Sequence, residues 1–109
     1  MIEFEEKIAE HCENWYPKEA CGVLAEYKSG VRWVPCTNIS NSNNTFEFDP
    51  EEYRNITKRA KIIAIIHSHP DASPEPSLSD IKVCNILQVP FYIFSYPSME
   101  SYILSPEKQ

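Results

Sequence analysis

KIIAIIHSHPDASPEPSLSD, residues 61–80, is the stretch from which the fold and its chemistry are read. Its first six residues, Lys61 to Ile66, are β-branched and apolar without alternation, the pattern of a strand covered on both faces and therefore central in a sheet. HSHPDASPEPS follows, and its three prolines forbid a continuous helix, so a stiff ordered loop is expected there. Ser77 or Ser79 then caps a helix running to about Leu87.

Working outward, Phe4, Ile8, Ala9, Cys12 and Trp15 recur near helical spacing, predicting an amphipathic helix over Glu3 to Trp15 that Pro17 stops. Ala20 to Tyr27 and Val31 to Thr37 read as strands joined through Lys28-Ser29-Gly30, an antiparallel hairpin. Asn38 to Thr45 is polar and aperiodic, hence an exposed loop, and Phe46-Glu47-Phe48 reads as a short strand. Asp49 ahead of Pro50 caps a helix from about Pro50 to Ala60. Phe91 to Tyr96 and Ser101 to Leu104 are two further strands about the Pro97-Ser98 turn, and the polar end, Ser105 to Gln109, is expected to fray.

At 109 residues the chain is expected to form one domain, with a core sufficient to fold without staples or metal and a modest margin of stability. A net charge of -6, with the charges interspersed, argues against nucleic acid or an anionic membrane as partner and leaves protein or peptide. There is no leader pattern and no apolar run near the ~20 residues that span a bilayer, so a cytoplasmic location is expected. Cys12, Cys21, Cys36 and Cys84 form no Cys-x-x-Cys pair and are read as reduced, mostly buried thiols.

The chemistry lies in a pattern of His67, one residue, His69, seven residues, Ser77, two residues, Asp80. Residues two apart on a strand face the same side, so His67 and His69 can address one ion, and the proline-stiffened return can bring Asp80 to them. Two imidazoles and a carboxylate suit zinc and leave a fourth position for water, which marks catalysis rather than scaffolding. With this composition the four positions coincide by chance in roughly 2 of 10,000 such chains. The bland alternatives are hydrogen-bonded strand histidines, a carboxylate at a helix N-terminus and a simple Ser77 cap. Cys21 or Cys84 closing the coordination shell would instead make a structural zinc site. His11 is expected to face solvent without a role, and Phe91, Tyr92, Phe94 and Tyr96 to pack a strand.

The pattern, with Pro70 after the second histidine and Pro76 before Ser77, resembles the JAMM/MPN+ zinc metallopeptidase signature. That resemblance implies an α/β, cytidine deaminase-like fold with a mixed, mainly antiparallel sheet flanked by helices. It also implies zinc on His67, His69 and Asp80, and Glu19 ahead of Ala20-Cys21-Gly22 as the proton shuttle. Ser77 is the candidate donor to the oxyanion. The implied reaction is hydrolysis of a peptide or isopeptide bond, with ubiquitin-like conjugates as the usual substrates.

Glu19-Ala20-Cys21-Gly22, Pro35-Cys36-Thr37-Asn38, Phe46 with Pro50, and Val89-Pro90-Phe91 are similar to the amino-terminal domain of phage tail assembly proteins of the lambda K type. Those proteins usually continue into an NlpC-type cysteine peptidase domain, so a stand-alone or a trimmed version is expected here. The implied setting is a phage tail or the bacterial host cytoplasm, and the implied substrate a tail protein with a ubiquitin-like fold. A catalytically idle MPN-type binding module is the alternative. The intact residues argue against it, although the loop from Asn38 to Thr45 could cover the site.

Overall fold

The computed structural model describes residues 2–108. A single 3-10 turn, Ile2–Phe4, leads into α1 (Glu5–Trp15), so the first helix starts two residues later than its apolar spacing suggests. β1 (Cys21–Tyr27) and β2 (Gly30–Cys36) form the expected hairpin, and α2 (Pro50–Thr57) follows a long loop. The central strand β3 (Lys61–Pro70), helix α3 (Leu78–Leu87), β4 (Phe91–Tyr96) and β5 (Ser101–Leu104) complete the order.

The strands lie in the order β2-β1-β3-β4-β5, with β3 in the middle as its apolar run predicts. Only β3 and β4 run parallel, because α3 carries the chain back between them, and the other three pairings are antiparallel. The sheet is therefore mixed and mainly antiparallel, as expected.

Alternation along the strands sorts the core into two layers. Ile66 of β3, Leu24 of β1 and Phe94 of β4 pack with Ile8 and Cys12 of α1 on one face. Ile65, Val23, Phe91 and Ile93 pack with Ile56 of α2 and Cys84 of α3 on the other. His67 and His69 share the parity of Ile65, which sends both imidazoles to the α3 face.

Three expectations need correction. The strand KIIAII does not stop at Ile66: it continues through HSHP because β4 pairs along it, His67 opposite Ile93 and His69 opposite Ser95. The stiff loop therefore begins only at Asp71, and Pro70 lies beyond the last β1 pair at His67, where β3 is an edge strand and proline is tolerated. Phe46-Glu47-Phe48 is no sheet strand but meets Asn38 through one isolated bridge. The Asn38 side-chain oxygen takes the Glu47 N–H that a ladder would use. The second helix ends at Thr57 rather than Ala60, although Ala60 N–H still reaches the Ile56 carbonyl. The remaining boundaries shift by a residue, the usual scatter.

Gly22 shows why the hairpin sequence is so particular. A Cβ there would lie 2.3 Å from the Trp33 ring and 2.7 Å from the Val34 carbonyl oxygen. The ring can swing, but the backbone oxygen cannot, so Gly22→Ala is expected to cost about 1–3 kcal/mol by overpacking. Urea denaturation checks this, and an unchanged midpoint would contradict it.

Candidate active site

At the end of β3 nearest α3, four titratable groups are drawn together. Nε2 of His67 lies 3.1 Å from Oδ1 of Asp80, and Nε2 of His69 lies 3.2 Å from Oδ2 of the same carboxylate. Ligand atoms of Glu19, His67 and His69 all fall within 4.8 Å of one another. Glu19, His67 and Asp80 are buried, and His69 is half-buried.

Neighbouring groups orient the Asp80 carboxylate and the His69 ring. Ser77 caps α3 in a capping box: its hydroxyl oxygen accepts from Asp80 N–H at 3.0 Å, and its own N–H donates to Asp80 Oδ2 at 2.9 Å. A motif that starts a helix thus also aims the carboxylate at the imidazoles. The Ser73 carbonyl accepts from Nδ1 of His69 at 2.9 Å, which leaves the lone pair on Nε2, and the Ala72 carbonyl accepts from the Ser95 hydroxyl, steadying that loop.

Glu19 is anchored through its backbone and the residue after it. Asn38, itself buried, donates from its side-chain nitrogen to the Glu19 carbonyl at 2.8 Å. Ser68, between the two histidines but facing the other layer, accepts from Ala20 N–H at 2.8 Å and donates its own N–H to the Ala20 carbonyl at 3.0 Å. Phe46 stacks on the His67 ring with centroids 4.6 Å apart, and Phe91 meets it edge-on at 5.6 Å.

The electrostatics follow from this crowding. Burial lifts the Glu19 carboxyl to about 7, opposed by the His69 charge and assisted by Asp80. Burial also holds His67 below its ordinary value, so its ring is neutral. Burial would raise Asp80 as well, but the two imidazoles and the Ser77 N–H outweigh it and keep the carboxyl well below the usual carboxylate range. His69 is raised overall, since Asp80 and the Ser73 carbonyl overcome its burial.

His67 decides whether a metal fits. Both of its ring nitrogens are buried and neither has a hydrogen-bond partner, because the N–H direction misses Asp80 although the atoms are close. An orphaned imidazole nitrogen costs on the order of 1–3 kcal/mol. A cation shared by neutral imidazoles and a carboxylate removes that cost, and such a donor set suits zinc. The residues present therefore fit a metal.

All five residues singled out from sequence lie here, and Glu19, Ser77 and Asp80 line one cleft. The compact trio that includes Glu19 differs from the expected set of His67, His69 and Asp80, whose carboxylate instead contacts both Nε2 atoms at 3.1 and 3.2 Å. Sequence reading missed Asn38, Ser68 and Phe46. Asn38 and Phe46 stand among the residues that carry the phage-tail resemblance, which gave them no role in the site, and Ser68 is a small polar residue between the two histidines.

His11, expected in solvent, does not face it. His11 lies between Trp15 and Trp33, with Nε2 at 2.9 Å from the Cys21 carbonyl and 3.2 Å from that of Cys36. All four cysteines are free and buried, as expected, and burial pushes Cys12 to about 11 and Cys36 to about 12. Cys84 Sγ donates to the Val89 and Leu104 carbonyls. Among the described residues, the metal-sized cluster at this site contains no cysteine.

Both the sequence and the fold have known relatives. A family model described as prokaryotic homologs of the JAB domain matches residues 2–104. Tail tip assembly protein K of Escherichia phage N15 is 35% identical over 100 residues, covering 91% of this chain and 41% of the phage protein. A probable TtuB-protein conjugate cleaving protease of Thermus thermophilus is 31% identical over 110 residues, 95% of this chain and 73% of that protein. The chain thus spans well under half of the phage relative.

Among solved structures, a Desulfitobacterium hafniense protein superposes with a TM-score of 0.72 at 26% identity, over 93% of this chain and 77% of its own. A JAB1/MPN domain protein from Archaeoglobus fulgidus superposes with a TM-score of 0.59 at 18% identity, over 96% and 94%, which shows the shared fold.

The raised Glu19 carboxyl makes a stability prediction for protein kept metal-free with a chelator. Its folded value of about 7 exceeds the ordinary 4.5, so the protonated form favours folding. That stability is complete below pH 4.5 and is lost as pH rises through 7. Glu19→Gln should therefore gain on wild type by roughly 3 kcal/mol between about pH 4 and about pH 8. Urea titrations at both ends measure the difference, and parallel pH profiles for the two proteins would contradict it.

Proposed function

The chain belongs to the family of prokaryotic homologues of the JAB domain, and from that premise we propose that it is a zinc-dependent hydrolase of peptide or isopeptide bonds. His67, His69 and Asp80 hold the metal, Glu19 moves the proton and Ser77 steadies the developing oxyanion. The observation that carries this reading is the buried, unpartnered His67 ring beside a carboxyl that titrates near neutrality.

When bound, zinc supplies Lewis acidity, lowering the pKa of a water toward ~7 and polarising a carbonyl. The chain's own residues do the rest. Glu19, at about 7, can take a proton from the attacking water and return it to the leaving amine, because neither form is strongly favoured at physiological pH. Asp80 stays ionised beside the imidazoles, so it serves as a ligand rather than a second acid. Among the described residues the Ser77 hydroxyl accepts from Asp80 N–H and donates to no protein group, which leaves its hydrogen for a substrate oxygen.

A protein substrate suits the acidic, interspersed surface. The role named for the Thermus relative, the probable cleavage of TtuB-protein conjugates, supports a protein conjugate as substrate. The phage relative's role supports a tail component handled in the host cytoplasm or in the tail. One observation favours an idle binding module instead: Phe46 stacks over His67 and leaves it 1% exposed.

Zinc analysis with cleavage assays separates the two. The wild type should bind about one zinc per chain and cleave candidate tail or ubiquitin-like fusions. Glu19→Gln should keep the metal and lose about 100-fold or more in kcat, and His67→Ala should lose both. Ser77→Ala should keep zinc and slow turnover by about 100-fold to 1,000-fold. Equal cleavage by wild type and Glu19→Gln would remove Glu19 from the mechanism, and stoichiometric zinc without any cleavage would favour the binding module.

A further inference from the structure

The cleft lined by Glu19, Ser77 and Asp80 is lined as well by the loop carrying Phe46 and Phe48 and by the flank of α3. Its apolar lining is Phe46, Phe48, Val83, Leu87 and Phe91, of which Phe46 and Phe91 also pack on His67, and it encloses about 240 Å³. An apolar cavity of roughly 150 Å³ is enough to hold a benzene ring. The space therefore admits one large aliphatic or aromatic side chain beside a few polar groups, as in most ligand sites.

The fold alone does not account for these walls. α3 is apolar on nearly every side, LSDIKVCNIL, yet only Asp80 and Cys84 are buried along it. Val83 and Leu87, each more than a third exposed, turn toward the cleft instead of the core. A helix of that composition ordinarily lies inside a protein.

We propose that this cleft is a specificity pocket that takes a bulky apolar side chain of the substrate polypeptide, within a residue or two of the bond that is cut. The proposal rests on the hydrolase reading, because only the shared lining with Glu19, Ser77 and Asp80 ties the pocket to a reacting bond. The carboxylates in its lining, Glu19, Glu47 and Asp80, disfavour an acidic side chain, and the aromatic walls disfavour a small or polar one.

The first test needs neither metal nor turnover. Isotope-labelled metal-free protein is titrated with N-acetylphenylalanine amide and N-acetylleucine amide, with N-acetylserine amide as control, and amide shifts are followed by NMR. Saturable shifts at Phe46, Val83 and Leu87 are expected in the millimolar range for the apolar amides alone. Val83→Trp, a change at a half-open position that fills the pocket, should abolish them while leaving the remaining spectrum folded. No saturable shift, or equal shifts with the serine amide, would overturn the proposal. So would concentration-dependent broadening of the same residues without any peptide, which would make the cleft a contact between copies.

A second test uses the zinc-loaded protein on a mixture of random internally quenched peptides, with cut positions read by mass spectrometry. A bulky apolar residue should be enriched about tenfold or more at one fixed position. In Val83→Trp the preference should move to glycine or alanine. Cleavage without positional preference would overturn the pocket and leave the hydrolase standing. Amide binding without any cleavage would leave a side-chain pocket but overturn the hydrolase, and with it the pocket's place beside a cut bond.

Discussion

Two hydrogen bonds between Ser68 and Ala20, one through the serine hydroxyl and one through its backbone, tie the start of β1 to the far end of β3. The candidate site depends on that tie. With Ser68 turned to the α1 layer, strand parity sends both His67 and His69 to the α3 layer, and Glu19, one residue before Ala20, stands against them. A one-residue slip of β3 would reverse every side chain and disperse the site. Pairing on both edges of β3, to β1 and to β4, makes such a slip costly.

The cost of bringing four titratable groups into one small volume is visible in their charges. One carboxyl is driven up and the other held down, and one imidazole is left neutral without a partner. The raised Glu19 and the unpartnered His67 work against folding of the metal-free chain at neutral pH, whereas the depressed Asp80 favours it. Such strain persists where surrounding structure over-determines it, here through the Ser77 capping box, the Asn38 anchor and the Phe46 stack. A shared cation would turn the same arrangement into a stabilising one.

Much of this arrangement is legible in the amino-acid sequence. The apolar run of Lys61 to Ile66 places the central strand, the His67 to Asp80 spacing gathers the site, and the Asp49-Pro50 and Ser77 caps mark two helix starts. What escapes has a common cause. Where β3 ends depends on its pairing with β4, more than twenty residues away, and the prolines beyond it speak only of local geometry. Asn38 and His11 are hidden for the same reason. Their roles are hydrogen bonds to backbone carbonyls brought near by the fold, and neither residue type announces a partner that distant. Glu19 is found only through resemblance, since a single acid beside Lys18 carries no pattern of its own.

Everything said of the chemistry rests on the ligand set, and X-ray absorption at the zinc edge of the zinc-loaded protein reads that set without intermediary. A first shell of nitrogen and oxygen only is expected, at about 2.0–2.2 Å, with the outer scattering of two imidazoles. A sulfur shell at about 2.3 Å would mean that a cysteine closes a structural site, and a protein that retains no zinc would remove the metal centre altogether.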